Sequence, residues 1–156
     1  MGLSVSVFTN ISITTNEDYR FKAYVIDDSW NHKIKNLVNK GNYDGNETPV
    51  IKYPYSTHNR FREYLVSLFS VGGVLDQNGE IIWENLTDDM PFIDLILFAD
   101  NEGCFDWETA GRLLKDFNKF TEVNDGNMNK KMMRYYELWH EGIKKATEED
   151  GVIVFS

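Results

Sequence analysis

From Leu3 to Ile13 the chain alternates: Leu3, Val5, Val7, Ile11 and Ile13 are apolar, while Ser4, Ser6, Asn10 and Ser12 are polar. A period of two predicts a half-buried strand, because successive side chains leave a strand on opposite faces. After TTNED, residues 14–18, the alternation resumes with Tyr19, Phe21, Ala23 and Val25, so an amino-terminal hairpin is expected. Residues 27–49 lose the pattern. KGNYDGNETP, rich in Gly, Asn and Asp, reads as loop, with room for a short helix in WNHKIKNLVNK.

Helical spacing takes over at YPYSTHNRFREYLVSLF, where Phe61, Leu65, Leu68 and Phe69 share a face and Ser56 or Thr57 is the expected N-cap. EIIWE suggests a short strand, and PFIDLILFA is either a buried strand or a short buried helix, which periodicity does not separate. A second helix is expected from an Asp106 N-cap to about Val123, with Trp107, Ala110, Leu113, Leu114, Phe117 and Phe120 on one face. Met132, Tyr135, Tyr136, Leu138, Trp139, Ile143 and Ala146 mark a third, and GVIVFS a closing strand. The pattern predicts one α+β domain over residues 1–156, an antiparallel sheet with about three substantial helices.

Composition adds that the chain folds unaided. It has 156 residues, 42% of them hydrophobic, which suffices for a core without metal or disulfide staples. A single cysteine, Cys104, and widely separated His32, His58 and His140 give no zinc spacing. The opening MGLSVS fits a myristoylation pattern but also makes good strand sequence. With no signal-peptide pattern and no apolar run near the roughly 18 residues of a membrane span, a cytoplasmic protein without membrane contact is expected.

Charge changes the picture only when it is located. The formal net charge is −9, and residues 63–111 hold eleven acids and no base, whereas the two flanking stretches are close to neutral. Such a field disfavours nucleic acid, whose phosphates need clustered Lys and Arg, and favours a basic protein partner, a cation or simple solubility.

The quoted stretches MGLSVSVF, YSTHNRFREYL, PFIDLILFADNEGCFDWETAGRLLKDF and YELWHEGIKKATEEDGVIVF resemble, in that order, a family of small uncharacterised proteins from bacteria and their phages. Its marks are the motifs Y-S-x-x-N-x-[FW]-R and F-[AS]-[DN]-x-E-G. The resemblance spans nearly the whole chain, implies one intact domain and brings no activity with it. It points to Tyr55, Ser56, Asn59, Arg62, Asp100, Glu102 and Gly103.

Those residues admit several chemistries. Arg60 and Arg62 follow a helix start, where unsatisfied N–H groups favour an anion, but a cap at Ser56 and an ion pair from Arg62 to Asp100 or Glu102 account for them more simply. His58 has the pKa of a general base, yet there is no G-x-S-x-G, no Cys/His pairing in a recognisable local context and no P-loop, so no cofactor is expected. Neighbouring carboxylates would raise the Cys104 pKa and make it a poor nucleophile. His140 reads as a partly exposed helical residue.

Asp94, Asp100, Glu102 and Asp106 are dense enough for a divalent cation, but Gly103 at the sixth position of an EF-hand loop would place Phe98 at the first, so that motif fails and no metal is expected. A non-catalytic binding or accessory module, with an immunity-like role among the options, is therefore the first expectation. The second is an enzyme or small-ligand binder with its pocket between the Tyr55 to Arg62 helix start and the Asp100 to Gly103 turn. Candidate binding residues are Tyr55, Ser56, His58, Asn59, Arg62, Asp100 and Glu102.

Overall fold

A computed structural model describes residues 2–14, 21–23, 32–33, 41–69, 72–98 and 103–156. In chain order they form β1 (Gly2–Thr14), β2 (Phe21–Ala23), β3 (His32–Lys33), β4 (Gly41–Pro54), α1 (Tyr55–Phe69), α2 (Ile93–Ile96), β5 (Gly103–Phe105), α3 (Trp107–Asp125), α4 (Lys130–Glu148) and β6 (Val152–Phe155). One sheet takes the order β2-β4-β1-β6-β5-β3, antiparallel except for the short β3 and β5 pair. With α1, α3 and α4 as its long helices, the fold is the α+β class that the pattern predicts.

The alternation of β1 sorts its side chains between two cores. Leu3, Val5 and Val7 join the large cluster with Phe61, Leu65, Trp139 and Ile143 from the helices. Phe8 points the other way, into a smaller cluster with Tyr43, Cys104 and Val152. The closing strand β6 lies between β1 and β5, with Val5 paired to Phe155 and Gly103 also paired to Phe155.

The expected amino-terminal hairpin is corrected: β1 pairs with β4 and β6, and β2 pairs with β4. Tyr19 and Val25 lie outside the described residues. Most of KGNYDGNETP, expected as loop, is the first half of a 14-residue strand. Its composition reflects an irregular register and not a loop. The pairing with β1 shifts between Thr9 and Ser12, Asn10 adopts φ 51°, and a Cβ at Gly45 would come within 2.9 Å of the Thr9 carbonyl oxygen. A small residue is what a bulge facing a close backbone requires.

A second register shift, between Val5 and Ser6, turns Val50 out of the ladder toward α4. There Gly142 makes room for it: a Cβ on Gly142 would sit 2.6 Å and 2.8 Å from the two Val50 methyl carbons.

PFIDLILF resolves as a helix of one turn. Phe92, fully buried with φ 61°, redirects the chain into it, and the Asp116 carboxylate accepts from the Phe92 N–H at 2.9 Å. EIIWE forms only a bridge from Ile81 to Leu75 and a 3-10 turn at Trp83–Asn85. Helix α1 begins at Tyr55, directly after Pro54, so Ser56 lies exposed in its first turn and neither it nor Thr57 precedes the helix as a cap. Asp106 does cap α3, accepting from the Glu108 N–H at 3.1 Å.

Candidate functional site

Positions 58 and 62 of α1 are one turn apart and share a face. That face is turned into the core: His58 is 0% and Arg62 6% exposed. Pro54 ends β4 where α1 begins, which sets the last residues of the strand against the first turn of the helix. Tyr53 thereby meets His58, its hydroxyl oxygen 2.6 Å from His58 Nδ1. Trp139 of α4 donates its indole N–H to the same hydroxyl at 3.1 Å.

An indole N–H can only donate, so the Tyr53 oxygen accepts from Trp139, while the hydrogen bond between the phenol and His58 Nδ1 runs in the direction that the imidazole tautomer sets. The other ring nitrogen, Nε2, is buried without a hydrogen-bond partner, the rings of Trp139 and Phe155 standing 6.2 Å and 6.1 Å from the imidazole. Burial, and after it the positive charge of Arg62, pull the His58 pKa down to about 3. Burial pushes the Tyr53 hydroxyl well above the ordinary phenol range.

Arg62 donates to the carbonyl oxygen of Phe98 at 2.5 Å and to Asn59 Oδ1 at 3.4 Å, and its guanidinium carbon is 5.9 Å from the centre of the Trp83 ring. Phe98 precedes Asp100 by two residues in the sequence. Asp100 and Glu102 lie outside the described residues, and with them the expected pair to Arg62. Of the other candidates, Tyr55 packs partly buried against the main core, while Ser56 and Asn59 face solvent.

Cys104, Asp94 and Asp106 are sealed or already engaged. Cys104, in β5, is 1% exposed, and burial followed by Asp106 raises its thiol to about 12. Asp94 holds Arg112 through two contacts of 3.0 Å and 3.3 Å, and the fully buried Asp106 is the α3 cap. Among the described residues no group of three or more His, Cys, Asp or Glu side chains is placed to hold a metal ion. His140 meets Asn118 Oδ1 at 2.7 Å and stacks on Phe117, as a partly exposed helical residue should.

Two open grooves lie elsewhere. One of about 650 Å³ runs between Arg60, Glu63 and Tyr64 of α1, Glu80, and Lys131 at the start of α4. The other, about 460 Å³, lies beside Pro49 and Val50 and is closed by Tyr135 and Leu138. Neither is lined by His58, Arg62 or Cys104.

Sequence reasoning missed Tyr53. Tyr53 had a weak signal, the short alternation Ile51-Lys52-Tyr53, but nothing local ties it to Trp139, 86 residues away. Trp83 is 48% exposed on the connection between α1 and α2. Residues 72–91 of that connection hold Asp76, Glu80, Glu84, Asp88 and Asp89 and no base. Glu63 at its edge has a carboxyl raised above its ordinary pKa by burial first, then by Glu80, with Asp76 adding to it. No family model matches the chain, and no curated protein or solved structure is significantly similar to it. No described helix is long and apolar enough to cross a membrane.

Proposed function

We propose that the protein is a non-catalytic binding module whose acidic central segment faces a basic protein partner, in an accessory or immunity-like role. The observation that carries this reading is the division of labour among its polar groups. His58 and Cys104, two side chains suited to proton transfer or nucleophilic attack, are sealed in the core in their neutral forms. Four of the five acids of residues 72–91, Glu80, Glu84, Asp88 and Asp89, are exposed. An excess of exposed acids accelerates encounter with a basic surface and disfavours acidic competitors.

The test is affinity capture from the cells that encode the protein, at low and at high salt. The reading expects a basic protein that is retained at low salt, released at high salt and lost when Glu80, Glu84, Asp88 and Asp89 are changed to their amides. Capture that ignores those four changes, or an enzymatic activity abolished by His58→Phe in a folded variant, would overturn it.

A further inference from the structure

We propose that Trp83 is the anchor of the docking surface, entering an apolar pocket on the partner that is rimmed by Lys and Arg. This rests on the binding-module reading and gives it a place. Four large apolar side chains are exposed among the described residues: Trp83, Leu97, Val123 and Met128. Trp83 alone of these lies in the stretch 72–91, where acids are dense and bases absent. Tryptophan is the residue type most enriched at the energetic centres of interfaces, and charged rims around such centres select the partner.

The turn that carries the indole is also held in place before any partner arrives. Its turn is closed by the Leu86 N–H to the Trp83 carbonyl at 3.2 Å and by the Asn85 amide to the Gly73 carbonyl at 2.6 Å. Beneath it lies Arg62, itself anchored on the Phe98 carbonyl. An aromatic ring that is already ordered loses less freedom on binding, which converts more of its burial into affinity. The acids fix the chemistry of the occupant: Glu84 adjoins Trp83, Glu80 precedes it, and Asp88 and Asp89 follow on the same connection. A basic protein surface satisfies them, whereas nucleic acid or a second copy of this acidic chain would face like charge.

The experiment places a photo-reactive phenylalanine at position 83 and, separately, at position 128, whose methionine is 94% exposed and far along the chain from the acids. After irradiation in lysate of the encoding cells, the cross-linked peptides are identified by mass spectrometry. The proposal expects position 83 to capture a peptide from one protein, with Lys or Arg flanking apolar residues, and position 128 to capture none of it. With that protein purified, Trp83→Ala should weaken binding about thirtyfold or more while circular dichroism shows an intact fold.

The fourfold amide variant should slow association about tenfold at low salt and leave little salt dependence. A partner captured without contact at position 83, or unaffected by Trp83→Ala, overturns the anchor and leaves the binding reading standing. Capture of this chain itself, or of an acidic surface, overturns the anchor as stated. No partner at either position, nor in the affinity capture, overturns both.

Discussion

Tyr53 and His58 share a buried hydrogen bond of 2.6 Å, and the same phenol oxygen accepts from the indole N–H of Trp139. Protonating His58 would bury a charge in the core and set a second cation beside Arg62.

Stability should therefore fall in acid. The folded His58 pKa of about 3 lies below the ordinary 6.5, so the unfolded chain takes up the proton first. The contribution of neutral His58 is complete above pH 6.5 and is lost as pH falls from there toward 3, at up to about 1.4 kcal/mol per pH unit. Urea unfolding at several pH values, for the wild type and for His58→Phe, isolates this slope from the carboxylates common to both. Equal slopes would show that His58 is not the group responsible.

Gly142 is expected to be a steric requirement of the Val50 bulge. Alanine normally favours a helix interior by about 1 kcal/mol over glycine. Here its methyl would overlap the Val50 methyls, and Gly142→Ala should destabilise by about 1–3 kcal/mol instead. Val50→Ala in the same chain should recover part of that loss, read as a favourable coupling in a double-mutant cycle. Additive effects would place the strain elsewhere.

Cys104 should resist thiol reagents in the folded protein. With the thiol raised to about 12, only about one molecule in ten thousand carries a thiolate at pH 8, and the sulfur is also covered. Labelling should be slow in buffer and fast in denaturant. Rapid labelling without unfolding would contradict the buried placement in β5.

Replacing Asp106 by Ala should cost about 1 kcal/mol, within the range of 0.5–2 seen for lost helix caps, and Asp106→Asn should cost much less because the amide oxygen can still accept from Glu108. Denaturant midpoints of the two variants give the comparison. Matching losses would mean that the charge of Asp106, and not its capping bond, supports α3.

What the sequence made legible was local. The period of two in β1, the helical stripes of α1, α3 and α4, the Asp106 cap and the terminal strand each follow from residues close together in the chain. Strand β4 was not legible, because Gly45 and the neighbouring Asn and Asp residues answer to a bulge made with β1, a contact that spacing within β4 does not reveal. The shared face of His58 and Arg62 could be read from their separation of four. That this face points into the core depends on Tyr53, Phe155 and Trp139 arriving from three other elements, and Asp100 and Glu102, the other half of the expected site, lie outside the described residues.

Strand β6 has a consequence for how fast the protein reaches this state. Val5 to Phe8 meet Val152 to Phe155, and without that contact β5 has no neighbour joining it to β1. Helices α3 and α4 can zip from contacts nearby, but the sheet is completed only when residues from opposite ends of the sequence find each other. Closing so long a loop makes sheet completion the slow step, so helical signal should precede full protection of the β1 amides during refolding.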